Sequence, residues 1–155
     1  IYGWSKYVTE IYGMAKVSNF VALRYFNVYG PGEEHKGKMA SVAYQAYQKG
    51  EFKLFPKKPK RDFVYIDDVV DATLYAVFNN IKKGVYEVGT SKKRTFEDML
   101  NLMNIKYEYR DEIDIPKGYQ FYTEANKKNF MSGWKPKYSL EDGIEKYKSY
   151  LDENL

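Results

Sequence analysis

Cysteine is absent from the 155 residues, which excludes disulfides, thiolate nucleophiles and cysteine-ligated zinc. Histidine occurs once, at His35, so a histidine-rich metal centre is excluded and no metal is expected. Long apolar runs are missing: none approaches the ~20 residues of a membrane span, and no signal peptide opens the chain, so no membrane partner is expected. Excess charge is small, 25 Lys+Arg against 21 Asp+Glu for a net +4. That field is weak for a polyanion, the ribonucleoprotein-type aromatic signature is missing, and nucleic acid is not expected as a partner. An initiator methionine is also lacking, since the chain opens Ile1-Tyr2-Gly3; a processed chain or a fragment is the expectation. What is abundant is aromatic: 17 Tyr, 9 Phe and 2 Trp make 18% of the residues, too many for a disordered chain.

Helical and strand periods alternate along the sequence. Residues 2–16 read as a helix with Tyr7, Ile11 and Met14 on one face. Phe20–Phe26 is β-prone and nearly continuous, the pattern of a strand buried on both faces, and Asn27-Val28-Tyr29-Gly30-Pro31-Gly32 reads as turn chemistry. A polar loop from Glu33 to Lys38 leads to a helix ending near Lys49, with Gly50 as its stop. Short strands follow at Phe52–Phe55 and Phe63–Ile66, then a helix to about Asn79 with Asp67 or Asp68 as N-cap. Val85–Val88 is a further strand, and residues 63–89 read as a right-handed crossover unit. Thr95-Phe96-Glu97-Asp98 resembles a capping box, and Ser139 caps a last helix with Leu140, Ile144, Tyr147 and Leu151 on one face. The alternation predicts an α/β fold containing a parallel sheet.

Three groups of residues are candidates for chemistry, each with a plainer reading beside it: a chance Tyr-x-x-x-Lys spacing, a strand-ending turn, and a solvated charged loop, which Lys57 and Lys58 suit best. Tyr2 and Lys6 stand at i,i+4, one above the other on a helix. An ammonium beside a phenol favours phenolate and suits Tyr2 to general acid/base work; Tyr12 and Lys16 repeat the spacing. Asn27 to Pro31 follow a strand, where ligands bind in open α/β sheets, and the Asn27 amide offers a donor and an acceptor. Basic residues gather at His35, Lys36 and Lys38 and again at Lys57, Lys58, Lys60 and Arg61. Arg61 opens a strand, so its guanidinium has a rigid base from which to clamp a diphosphate.

In chain order, Tyr2-Gly3-Trp4-Ser5-Lys6, Arg24-Tyr25-Phe26-Asn27-Val28-Tyr29-Gly30-Pro31, Arg61-Asp62-Phe63-Val64-Tyr65-Ile66-Asp67-Asp68-Val69 and Tyr86-Glu87-Val88-Gly89-Thr90 resemble one family. It is the extended short-chain dehydrogenase/reductases acting on nucleotide sugars, matched along their C-terminal half. Within it, His35–Ala43, Lys53-Leu54-Phe55 before Lys60-Arg61-Asp62, and Lys117-Gly118-Tyr119-Gln120 resemble the ADP-L-glycero-D-manno-heptose 6-epimerases. The resemblance implies the C-terminal half of a Rossmann-type doubly wound parallel sheet plus a smaller α/β substrate-binding lobe. About 1–31 and 62–90 would belong to the dinucleotide-binding domain, and about 32–61 and 91–155 to the substrate lobe.

The implied reaction oxidises C6 of an ADP-heptose with NADP and reduces the ketone from its opposite face, a step toward a lipopolysaccharide precursor. By the same resemblance Tyr2 and Lys36 are the two acid/base groups, and Lys6 holds the nicotinamide ribose and assists Tyr2. Val28 lines the cofactor and Lys36 contacts it, while Asn27, Phe55, Arg61 and Tyr119 hold the nucleotide sugar, Arg61 at the diphosphate. NADP and NAD remain open, and a homo-oligomer in the cytoplasm is implied. Two positions depart from the family: Lys38 replaces Ser and Gln45 replaces His, which leaves the exact sugar open. A glycine-rich G-x-x-G-x-x-G turn and the carbonyl-polarising Ser or Thr are missing, so the 155 residues are expected to be inactive by themselves. The alternatives are another nucleotide-sugar epimerase or 4,6-dehydratase of the family, or a catalytically incomplete nucleotide-binding fragment.

Overall fold

β4 (Lys60–Tyr65) is the strand on which the rest is hung in the computed structural model, which describes residues 1–155. Side chains alternate across a strand, and both faces of this one are buried. Phe63 and Tyr65 join a core of Tyr29, Tyr44, Met99, Ile144, Tyr147 and Leu151. Val64, on the other face, joins Val69, Ala72, Val88, Met131 and Trp134. β2 (Asn27–Tyr29) pairs with β4 in parallel, Asn27 opposite Phe63 and Tyr29 opposite Tyr65. β6 (Lys93–Thr95) pairs with it antiparallel.

β1 (Val21–Tyr25) runs straight into β2, with only Phe26 between them, and pairs in parallel with β5 (Gly84–Val88). Residues 21–29 therefore form one extended run that changes partner: Phe26 N still donates to Val88 O at 3.1 Å, and beyond it β4 takes over. Asn27-Val28-Tyr29, read from sequence as turn chemistry, is strand because β4 satisfies its backbone; the turn begins at Gly30. β1 is not buried on both faces as expected: Arg24 and Tyr25 are exposed, since β5 is its sole ladder partner. The crossover expectation also changes. β4 and β5 are not neighbours; each pairs with a different half of the 21–29 run.

A third ladder, β3 (Glu51–Leu54) with β7 (Lys106–Tyr109), is parallel as well. The chain is thus α/β, with parallel pairing in every ladder but β4–β6, as the alternation of helix and strand predicts. α1 (Tyr2–Lys16) is helical as expected, but Tyr7 and Ile11 on its apolar face are exposed and only Gly13 is buried, against Phe20. Arg24 ties the helix to β1 through a two-pronged bond to Glu10, at 2.9 and 2.7 Å. α2 (Val42–Lys49) is capped by Ser41 and ends on Gly50, whose φ of 69° is the left-handed conformation glycine tolerates.

α3 (Ile66–Phe78) corrects the capping expectation: Tyr65 holds the N-cap position with no side-chain bond. Asp68 lies inside the first turn, fully buried, and accepts from Lys137 N at 2.8 Å and Tyr138 N at 3.1 Å. α4 (Phe96–Leu102) and α5 (Leu140–Asn154) both begin with the reciprocal capping boxes expected of Thr95–Asp98 and of a capping Ser139. Leu140, Ile144, Tyr147 and Leu151 of α5 are buried together, as their spacing predicts.

Candidate active site

The face of β4 that carries Phe63 also carries Arg61, because residues two apart on a strand share a face. Arg61 is 9% exposed, yet no carboxylate pairs with it. Its Nη1 donates to the carbonyls of Lys60 at 2.9 Å and Phe121 at 3.1 Å. The guanidinium lies 5.2 Å from the Tyr119 ring centre and 5.8 Å from that of Phe96. Phe55 meets Tyr119 edge-on at 5.2 Å, and Arg110 lies 5.3 Å from the Phe55 ring. Aromatic faces and two carbonyls fix the guanidinium plane while Nε and Nη2 keep their hydrogens unshared, the geometry suited to a bidentate anion. The structure thus brings Phe55, Arg61 and Tyr119 into one cluster.

Asn27 joins this neighbourhood through register. Opposite Phe63 on the adjacent strand, it lies on the same face as Arg61, two residues along, and is exposed. Val28 points the other way, half-buried against the Val64 core.

Tyr2 and Lys6 stand together on α1, the ammonium 5.4 Å from the ring centre and Tyr2 itself 77% exposed. Neither the Tyr2 hydroxyl nor the Lys6 ammonium is hydrogen-bonded within the chain. The Lys6 ammonium therefore keeps its donors open, the chemistry that holding a ribose hydroxyl requires. Gly30 does not fit a diphosphate cradle, because a β-carbon there would meet Ile66 and Tyr65 rather than open space.

Lys36 lies on a 3₁₀ turn, Glu34–Met39, and is exposed. Its backbone N donates to Glu33 O at 3.0 Å. Gly37, at φ 52° and ψ −120°, breaks the turn just after it, a conformation that needs glycine. No hydrogen bond joins Lys36 to Tyr2 or Asn27. Gln45, a departure from the family pattern, braces the turn by donating to Ala40 O at 2.8 Å and Lys38 O at 3.3 Å.

Two buried carboxylates around the site escaped the sequence reading. Asp62, fully buried, accepts from Thr90 N, Thr90 Oγ1, Ser91 N and Ala125 N, fastening two loops to β4 beside Arg61. Glu33, 3% exposed, accepts from Ser41 and Tyr147. Burial first, and then the Glu33 charge, push the Tyr147 phenol far above its ordinary range, so it remains a donor. Only an acidic residue flanking a strand or loop marks either position in sequence, and that signal is ordinary.

Residues 2–89 match the NAD dependent epimerase/dehydratase family. The chain is 36% identical over 168 residues to an ADP-L-glycero-D-manno-heptose-6-epimerase of Brachyspira hyodysenteriae, covering 99% of this chain and 53% of that protein. It is 33% identical over 181 residues to the enzyme of the same name from Fusobacterium nucleatum, covering 97% and 54%. The crystal structure of the Helicobacter pylori ADP-L-glycero-D-manno-heptose-6-epimerase superposes with a TM-score of 0.80 at 30% identity, over 97% of this chain and 50% of that one. The chain therefore spans about half the length of the curated relatives it matches.

Proposed function

The chain belongs to the NAD dependent epimerase/dehydratase family, and from that premise we propose that it forms the substrate-binding and acid/base half of an epimerase acting at C6 of an ADP-glycero-manno-heptose. The observation that carries this reading is the Arg61 cluster: a guanidinium without a carboxylate partner set against Phe96 and Tyr119, with Phe55 edge-on to Tyr119 and Asn27 on the same face of the sheet. A planar cation between aromatic rings suits an aromatic nucleotide with a diphosphate. Similarity to heptose epimerases along nearly the whole chain supports the sugar.

In this reading the C6 oxygen meets a different proton carrier in each of the two orientations of the sugar. Tyr2 takes the proton of the C6 hydroxyl, or returns one to the ketone oxygen, from one face, and Lys36 does so from the other. NADP, or NAD, bound beside Lys6, Val28 and Lys36 supplies the acceptor and donor of hydride. Lys6 holds the ribose and, as a fixed cation beside Tyr2, favours the phenolate. Asn27, Phe55, Arg61 and Tyr119 hold the sugar nucleotide, so that rotation of the sugar presents either face while the diphosphate stays clamped. About 1–31 and 62–90 form the cofactor side, supported by the β1–β5 pairing, and about 32–61 and 91–155 the substrate side, supported by the β3–β7 pairing. We place the enzyme in the cytoplasm as a homo-oligomer supplying a lipopolysaccharide precursor. No helix is long and apolar enough to cross a membrane.

The test is to incubate the complete polypeptide carrying these residues with NADP and ADP-D-glycero-D-manno-heptose and to follow the C6 epimer by NMR. Epimer formation that falls by orders of magnitude in Tyr2→Phe and in Lys36→Met, with ADP-sugar binding intact, is the expected result. Turnover of UDP- or dTDP-hexoses with none of the heptose would replace the substrate. Wild-type epimerisation by Lys36→Met would remove the two-base assignment.

A further inference from the structure

Lys36 sits on a segment with little structure of its own. Residues 33–41 are one short 3₁₀ turn broken at Gly37, with every residue from Glu34 to Met39 exposed. The side-chain bonds that order the segment reach it from outside the turn. Glu33, buried at its start, accepts with Oε2 from Ser41 N at 2.6 Å and with Oε1 from Ser41 Oγ at 2.6 Å. One carboxylate thus closes the segment end to end. The same Oε1 accepts from Tyr147 Oη of α5 at 2.9 Å, a bond buried on both sides and 114 residues apart in sequence. Tyr150, one turn further along α5, donates to Glu34 Oε1 at 3.0 Å.

We infer that Glu33 and Tyr147 are positioning residues for Lys36, the carboxylate locking both ends of its turn and the phenol fixing that lock to the C-terminal helix. The inference rests on the reading of Lys36 as an acid/base group. A lysine with four rotatable bonds on an exposed turn has no fixed reach of its own, whereas the catalytic benefit of a proton carrier depends on its placement within about 1 Å. An isolated carboxylate at 3% exposure is unfavourable unless its oxygens are filled. Here the filling groups are the far end of the turn and a buried aromatic residue with neighbours Tyr29 at 6.3 Å and Tyr150 at 6.3 Å between ring centres. No hydrogen bond or ring pair joins Tyr147 to Phe55, Arg61 or Tyr119, so its effect is expected on proton transfer and not on nucleotide binding.

The experiment uses the complete polypeptide with NADP and ADP-D-glycero-D-manno-heptose. Tyr147→Phe removes one oxygen from a packed ring and leaves its shape; Glu33→Gln keeps the shape of the lock but turns an amide toward its donors. Each is expected to lower kcat about ten- to a hundredfold with KM for the sugar nucleotide unchanged, and to speed amide hydrogen exchange across residues 35–40. In a Lys36→Met background, Tyr147→Phe should lower the residual rate no further, which a general lesion in the core would do. Should Glu33→Gln fail to fold, Tyr147→Phe carries the test. Full activity of Tyr147→Phe beside an inactive Lys36→Met overturns this inference alone. Wild-type activity of Lys36→Met overturns the functional reading beneath it.

Discussion

The Tyr29 hydroxyl occupies the space that a β-carbon on Gly143 would need, and no hydrogen-bond partner reaches that hydroxyl. Residue 143 lies in the first turn of α5, where alanine is intrinsically favoured over glycine by roughly 1 kcal/mol. Gly143→Ala is nonetheless expected to destabilise the protein by about 1–3 kcal/mol through overpacking. Tyr29→Phe, which deletes a buried unpaired hydroxyl, should be neutral or stabilising. The double variant should recover part of the loss: with the hydroxyl gone, Tyr29 Cζ at 3.0 Å and Tyr65 Cβ at 3.2 Å still crowd the new methyl. Urea melts of the four proteins check this, and additive losses would refute the steric account.

Arg61 separates charge from geometry. Arg61→Lys keeps the cation but loses the plane that lies against Tyr119 and Phe96 and the second edge of donors. ADP-sugar affinity is expected to fall about tenfold to a hundredfold, corresponding to about 1.4–2.8 kcal/mol. Calorimetric titration with ADP reads it. Equal affinity in the two proteins would show that the diphosphate is held elsewhere.

Asp62→Asn tests the support behind that cluster. Both carboxylate oxygens are filled, Oδ1 by Thr90 N at 2.8 Å and Oδ2 by Ser91 N at 2.7 Å and Ala125 N at 3.0 Å. An amide in this place must turn an NH₂ toward N–H donors, so a loss of about 2–4 kcal/mol is expected. Faster amide exchange at Ser91 and Ala125 should accompany the lowered melting temperature. Unchanged exchange at both would mean that the loops are held by other contacts.

What the sequence disclosed about this fold depended on how local the deciding contacts are. Thr95–Asp98 and Ser139–Asp142 cap helices through bonds three residues apart, and both starts were readable. Asp67 or Asp68 reads locally as a cap, but Tyr65 holds that position and the Asp68 oxygens serve Lys137 and Tyr138, about 70 residues away. Asn27–Tyr29 is strand only because β4 lies beside it, and the adjacent Gly30-Pro31-Gly32 outweighed that in a local reading. The same holds at the site. Tyr2 with Lys6 shares its spacing with Tyr12 and Lys16, so the family resemblance and not spacing alone singles it out, as it does Arg61. Phe55 and Tyr119, 64 residues apart, come together edge-on with Arg61 against Tyr119, and Glu33 meets Tyr147, contacts that no local reading of the sequence contains.

Acid should weaken the fold, and the sign follows from the ion pairs. The hydrogen bond from Lys137 holds Asp71 below the ordinary 3.8 of an aspartate, and Lys93 holds Glu124 below the ordinary 4.5 of a glutamate. Arg94 does the same for Glu141. Each depressed carboxylate contributes stability that is complete above its ordinary value and is lost as pH falls through its lowered folded one. Asp68 opposes them: burial raises its pKa, so protonating it near and above 3.8 relieves a strain of desolvation. The pairs outnumber it but are partly exposed, with Lys137 at 62% and Glu141 at 50%, so water and salt screen each of them and each contributes little. The melting temperature should therefore hold from pH 7 to about pH 5 and decline below about pH 4, with a smaller decline in 0.5 M salt because these pairs are screened. In Asp68→Asn that opposing carboxyl is gone, and the decline should begin at higher pH than in the wild type. A melting temperature that rises steadily from pH 5 to pH 3 would mean that the buried Asp68 outweighs the three pairs.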